Sequence, residues 1–363
     1  MPRPSVKSVL LASLAALLVV MIQPSFFMVS MLICIAPIAI ALLYAWAGWV
    51  PAGIAAVGTA ASLTWFASLS GAVNPALACL GALIVLVAPG VVSIVLLEKR
   101  VGFFQRMVAA VLLQTAALLG CVAVIYLGLG VDLVDALTGM MRTTVEYLPS
   151  EAVMQFLEMY YYSGMLTEES IEELTKGVLL HADVMKIFDQ VFELTNYQLK
   201  QIMPAMLINS GLISGVLMTA LPSAVTRKRG FEPTVPHVPV HEWFLPARAV
   251  SGVAVCMLTG IVLNLMKVEG ASGVTVVFSQ LGSTLFIIQG VAALTRKFRQ
   301  SGAGKGARIG LTTAAVIFAG QFLELVGMAS ALFGSHGAIS AIIRRKMKEM
   351  EESEENRKDD DDE

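Results

Sequence analysis

Residues Val131–Lys200 set seventy residues of charged, amphipathic sequence between two blocks that are almost wholly apolar. The stretch carries twelve acidic residues (Asp132, Asp135, Glu146, Glu151, Glu158, Glu168, Glu169, Glu172, Glu173, Asp183, Asp189 and Glu193) against four basic ones, Arg142, Lys176, Lys186 and Lys200. A chain that is 56% hydrophobic and 14% charged, with its charges clustered in this way, does not fit a single soluble core. It fits helices in a bilayer with one polar excursion. The net charge of −2 sums an acidic middle, basic short loops and an acidic tail, and it does not point to nucleic acid as a partner.

A helix needs about twenty mostly apolar residues to cross a hydrocarbon core about 30 Å thick. Nine stretches meet that measure: Val6–Ile22, Phe27–Trp46, Pro51–Leu69, Pro75–Leu97 and Met107–Leu129, then Met203–Leu221, Ala247–Met266, Val274–Leu294 and Ile309–Phe333. Arg3 and Lys7 before the first run resemble a signal peptide, yet the run ends in Gln23, Pro24 and Ser25 without a small-residue cleavage site. It reads as a retained first helix. The expected fold is therefore all-α, a polytopic helical membrane protein of eight to nine spans. It divides into a membrane block at 1–130, the acidic helical insert at 131–202, a second membrane block at 203–343 and a charged tail at 344–363.

Basic loops favour the cytoplasm, and their order tests the threading. Arg3 and Lys7 place the N-terminus inside, and four spans later Lys99, Arg100 and Arg106 are inside again. The insert then lies outside, and Arg227, Lys228 and Arg229, followed two spans later by Arg296, Lys297, Arg299, Lys305 and Arg308, return to the inside. A bacterial cytoplasmic membrane with a cytoplasmic N-terminus follows. A ninth full span would put Arg344, Arg345, Lys346 and Lys348 outside, so Ile309–Ile343 is expected to fold as a broken or re-entrant pair, with Gly327 or the Gly334–Gly337 run as the break.

Within the insert, Asp132 can cap a helix showing Leu133, Leu137, Met140 and Met141, and Pro149 and Ser150 reset the chain for a second. A third follows Thr167, with four glutamates near its positive end, and a fourth carries Val184, Ile187, Phe188, Val191 and Leu194 before the sixth span. Two readings stand for these helices: interfacial helices with their acids in water, or a lid over a ligand. The tail from Glu349 reads as solvated and disordered.

No Walker A loop, HExxH or GxSxG is present, and the four cysteines sit in separate apolar runs without CxxC or neighbouring histidine. The residues thus point to no enzyme, no metal and no cofactor. Polar residues inside spans are the better lead, because burying them in lipid is costly. Glu324 lies midway along the last span, three residues after Gln321 and on the same helix face. It is a candidate proton site, ligand contact or interhelix anchor. Gln114, Asn209, Asn264, Gln280 and Gln289 are either interhelical glue or, together, the lining of a polar cavity. Ala12 and Ala16, Ala52, Ala56 and Ala60, and Gly211 and Gly215 repeat small residues at the spacing that lets helices approach closely.

Several stretches together resemble the DUF2232, or YybS-like, family of bacterial membrane proteins. They are Pro37–Gly53, the loop Leu221–Pro246 with Arg227, Lys228, Arg229 and Gly230 leading into Pro233, Pro236, Pro239, Trp243 and Pro246, then Asn264, Phe286–Gly290, and Gly327–Arg344. The chain departs from the family's acid-containing turn near its end, where Gly327, Met328, Ala329, Ser330, Ala331, Leu332 and Phe333 stand. The family is in turn remotely similar to the S-components of energy-coupling factor transporters. That similarity implies capture of a small solute beneath an outer cover, with Gln280, Gln289, Asn264, Gln321 and Glu324 as ligand-binding candidates. It also implies contact through Ala12 and Ala16 with a coupling transmembrane subunit that works with ATPases. A membrane scaffold or assembly factor without a small ligand is a second reading, and an intramembrane enzyme acting on lipid, with only Glu324 and His336 to offer, is a third.

Overall fold

The structure is a computed structural model that describes residues 5–22, 35–70, 74–146, 181–228, 238–268 and 270–333, with the single positions 155, 159, 162 and 347. The described residues form helices and turns, with no strand among them. They are α1 (Val6–Ile22), α2 (Ile35–Ala47), α3 (Trp49–Ser70), α4 (Pro75–Glu98, with a π-helical turn at Leu83–Val87) and α5 (Phe103–Leu129). Then come α6 (Leu133–Glu146), α7 (His181–Lys228), α8 (Ala247–Leu265), α9 (Ala271–Gln300), α10 (Lys305–Phe318) and α11 (Gly320–Phe333).

Close contacts between small residues fix the direction of each helix against its neighbours. In α7, a Cβ on Gly211 would stand 2.8 Å from the Thr115 Cα, and one on Gly215 2.5 Å from the Val111 Cα. The two helices therefore touch backbone to backbone and run antiparallel. Gly90 of α4 meets Pro37 and Ile40, and Glu98 at its end meets Tyr44, so α2 and α4 run parallel. Ala12 and Ala16 pack fully buried with Ala52 and Ala55, and Val20 closes on Gly58, which makes α1 and α3 parallel as well.

These directions bring the basic clusters to one end. The α2–α3 turn at Gly48, which has a φ of 85° that glycine adopts without strain, faces the end of α4, because both Tyr44 Oη and Trp49 Nε1 donate to Glu98 Oε1. Arg106 at the start of α5 donates to Ser223 near the end of α7 at 3.2 Å, and Leu42, Trp46, Val225 and Lys228 line one open groove. The opposite end is acidic. There Asp132 accepts from the Val134 and Asp135 amides at 2.8 and 3.3 Å and caps α6, as its position predicts.

Two prolines would leave backbone carbonyls unpaired at the centre of this bundle. A proline inside a helix removes the hydrogen bond to the carbonyl four residues earlier. For Pro89 that carbonyl is Val85, which lies in the π-helical turn and accepts instead from the Gln114 amide of α5 at 3.2 Å. For Pro222 it is Met218, which accepts from the Ser93 hydroxyl of α4 at 3.1 Å. All four partners are buried. Side chains of α5 and α4 thus repair their neighbours' ladders, as backbone at membrane depth requires.

Among the described residues four helices are long and apolar enough to cross a membrane, Pro75–Glu98, Phe103–Leu127, Phe188–Lys228 and Ala271–Gln300, or five with the bent pair α10 and α11, and Val6–Val20, Ile35–Ala47 and Ala249–Leu265 are shorter apolar helices. The structure corrects two expectations. The last amphipathic stretch of the insert and the sixth span are not separate elements, because α7 runs unbroken from His181 to Lys228. The break in the last segment falls at Ala319, where the axis bends by 108°, and not at Gly327, which lies buried inside α11. The second and third insert helices, the Gly334–Gly337 run, most of the loop that begins at Arg229 and the tail lie outside the described residues.

Replacing Gln114 with leucine should destabilise the protein by about 1–3 kcal/mol, the cost of a buried carbonyl left without a donor. Pro89→Ala should recover most of that loss in the Gln114→Leu background, since it restores the missing amide. Thermal unfolding of the two single variants and the double variant checks this; additive effects would refute the repair.

Candidate functional site

The polar residues of the second membrane block converge where α11 crosses α9. A Cβ on Gly290 would fall onto the Leu323 carbonyl, and one on Gly327 onto the Phe286 carbonyl, so the two backbones are in contact. Around this crossing the Ser283 hydroxyl donates to Glu324 Oε2 at 2.7 Å, and Gln289 Nε2 donates to Ser330 Oγ at 3.2 Å. The contacts 283 with 324, 286 with 327, 290 with 323 and 289 with 330 keep no constant offset, so the two helices cross at an angle within these two turns.

Gln289 reaches a second partner. It is 2% exposed, and its Oε1 accepts from the Leu245 amide at 2.9 Å. Leu245 stands before Pro246, in the extended segment that enters α8. That segment is fixed to the basic end of α9 at several points. Trp243 is buried against Phe103 and Ala292, and its indole donates to the Val238 carbonyl at 2.8 Å. Arg296 donates to the carbonyls of His241 and Trp243 at 2.9 and 3.3 Å, and its guanidinium lies 3.9 Å over the Phe244 ring. The His241 ring contacts Arg299 Nη1; partial burial and the charge of Arg299 hold its pKa below the usual imidazole value.

Nearer the other end, the Thr284 hydroxyl stands 2.9 Å from both the Asn209 side-chain oxygen of α7 and the Gln280 carbonyl. α7 is thereby tied to α9. Among the described residues no three His, Cys, Asp or Glu side chains gather as a metal site.

Of the residues singled out by sequence, the structure gathers Glu324 and Gln289 at one crossing. It leaves Gln280, Gln321 and Asn264 exposed, joined to neither. Ala12 and Ala16 are fully buried within the chain's own α1, α2 and α3 packing, and the exposed side of α1 is formed by Leu10, Leu14 and Leu17. Sequence reasoning passed over Ser283 and Ser330, whose short hydroxyls complete the seam, and Arg296, read there as loop charge. Ser93 was legible in principle through Pro222, since a proline marks an unpaired carbonyl four residues back.

The arrangement is built from contacts between helices and to backbone groups rather than from groups aimed into a cavity. The open groove lined by Leu42, Trp46, Val225 and Lys228 is apolar and lies away from this seam. If the seam is an interhelix anchor, Glu324→Gln should cost no more than about 0.6 kcal/mol, the average for a membrane hydrogen bond, since an amide oxygen still accepts from Ser283. Gly327→Val should cost about 1–3 kcal/mol or more by forcing the backbones apart. Thermal unfolding in detergent reads both; a larger loss for Glu324→Gln would contradict the anchor role.

The stretches Phe286–Gly290 and Gly327–Phe333, on which the resemblance partly rested, are the two sides of this crossing. No curated protein and no solved structure matches the chain. The model of the DUF2232 family, described as a predicted membrane protein, matches residues 9–335, and the chain belongs to that family.

Proposed function

We propose that the protein is a non-enzymatic scaffold of the bacterial cytoplasmic membrane, which presents an acidic helical surface outside the membrane to a basic client protein. The observation that carries this reading is α7. Its 48 residues make a rod about 72 Å long at 1.5 Å per residue, more than twice the hydrocarbon thickness. One helix therefore belongs both to the membrane bundle and to the projecting insert.

The projecting part is held to α6 by specific pairs. Lys200 lies 2.7 Å from Asp135 and 3.5 Å from Asp132, Arg142 pairs with Asp189 at 2.8 Å, and the Asn196 amide donates to Asp135 and Thr138. The Lys200 ammonium holds the Asp135 carboxyl below its ordinary pKa. Phe188, Val191 and Phe192 are buried in the same region. Glu193 on the exposed side of α7 faces solvent from this framework.

Gathered basic clusters favour the cytoplasm, so the basic end and the start of α1 are read as cytoplasmic and the insert as external. On this reading α1, α2, α3, α4, α5, α7, α8 and α9 make eight crossings, with α10 and α11 re-entering and leaving on the cytoplasmic side.

A second reading, capture of a small solute with a coupling subunit and ATPases, is favoured by the polar contacts among Asn209, Thr284, Ser283 and Glu324. Against it, Gln114 and Gln289 are engaged with backbone groups, and the Ala12–Ala16 stripe is covered within the chain. A coupling subunit would have to use the leucine face of α1.

A photoactivatable benzoylphenylalanine at Tyr197, which is exposed on α7, should capture a protein partner in cells. The same group at the exposed Val57 should not. The adduct should vanish when Gln190 and Glu193, on the same face, are both changed to lysine. A vitamin-like molecule retained by the natively purified protein, with no adduct at Tyr197, would overturn the scaffold in favour of solute capture.

A further inference from the structure

Among the described residues, the turn between α9 and α10 gathers more positive charge than acids face it. Arg299 Nη1 meets a ring nitrogen of His241 rather than a carboxylate, and the charges of Arg296 and Arg308 also bear on that imidazole. Among the described residues Glu242, 3.4 Å from His241 Nε2, is the acid that faces this group. Arg296 is engaged by two carbonyls and the Phe244 ring, which leaves Arg299 and Arg308 as the cations facing the turn. Arg308 Nε is shielded from solvent and makes no hydrogen bond.

The backbone adds to this charge. Gly302, with a φ of 77°, and the amides of Gly302 and Ala303, which bond to the Arg299 and Phe298 carbonyls, end α9 tightly. α10 begins at once, at Lys305, with Gly304 before it and no side chain capping the first turn. Its leading N–H groups point out beside Lys305 and Arg308, an arrangement that favours an oxyanion.

Beyond its first turn, α10 is apolar and uncovered. Ile309, Val316, Ile317 and Phe318 are all exposed. A cationic, amide-rich head over an exposed apolar helix matches a molecule with a phosphate at one end and hydrocarbon at the other.

We propose that Arg299, Lys305, Arg308 and the open N-terminus of α10 form a binding site for the phosphate of an anionic phospholipid, with its acyl chains lying along the exposed face of α10. The shared chemistry is a phosphate oxyanion, and the apolar helix beside it favours the lipid over free phosphate. Arginines that hold a phosphate through two parallel N–H groups supply specificity as well as charge.

The test uses the full chain in mild detergent, with thermal unfolding followed against added phosphatidylglycerol, phosphatidylcholine or inorganic phosphate. Phosphatidylglycerol should raise the midpoint saturably and phosphatidylcholine much less. In Arg299→Gln with Arg308→Gln, half-saturation should weaken about tenfold, the scale of one lost charge-assisted contact. A control pair at the same end, Lys99→Gln with Lys228→Gln, should behave as the unaltered protein. Native mass spectrometry of the folded fraction counts bound phosphatidylglycerol directly, so a less stable variant is still scored. Equal effects of the two lipids, or undiminished binding in the arginine pair, would overturn the site; a shift produced by inorganic phosphate alone, to which phosphatidylglycerol adds nothing, would overturn the lipid as its occupant.

Discussion

A carbonyl or amide at membrane depth must find a partner inside the protein, because lipid offers none. This constraint accounts for Ser93, Gln114 and Gln289 among the polar side chains buried in the bundle. Pro89 and Pro222 leave the carbonyls of Val85 and Met218 unpaired, and Gln114 and Ser93 supply the donors from neighbouring helices. The extended segment before Pro246 exposes the Leu245 amide and the carbonyls of His241 and Trp243, and Gln289 and Arg296 meet them. Each repair ties two elements together, so the same contacts that satisfy the backbone also fix the helix order.

Such repairs need backbones within reach of short side chains, which the small residues provide. Gly211 and Gly215 bring α7 onto α5, Gly90 brings α4 onto α2, and Gly290 and Gly327 bring α11 onto α9. A serine hydroxyl extends only a short way from its own helix. At Ser93, Ser283 and Ser330 it suffices because the helices already touch.

Much of this was legible in the sequence. The apolar runs locate the helices, the basic clusters foretell a common end, and the Gly211–Gly215 spacing marks a close contact. Asp132 as a cap was readable because the residue type and the following apolar pattern agree. The continuity of α7 was not legible, since a change from charged to apolar composition resembles a boundary while the helical period passes through it. Glu324 was visible as an acid among apolar residues, yet its role depends on Ser283, forty-one positions earlier, which only the crossing of α9 and α11 brings near. Ala12 and Ala16 show the limit of spacing arguments: close packing was correctly implied, but the partner they meet lies within the same chain.

The account turns on α7 as one strut joining the acidic projection to the basic end. Its first part is pinned to α6 through Asn196, Lys200 and Asp189, its middle lies on α5, and Ser223 near its end receives Arg106. The most direct measurement is the distance between spin labels at Gln190→Cys and Arg227→Cys, read by pulsed electron resonance in a cysteine-free background reconstituted in lipid. A continuous helix places those positions about 50–55 Å apart, and a single narrow distribution there is the predicted result. A broad distribution, or one centred below about 40 Å, would mean that the helix breaks between insert and membrane, and would contradict the account.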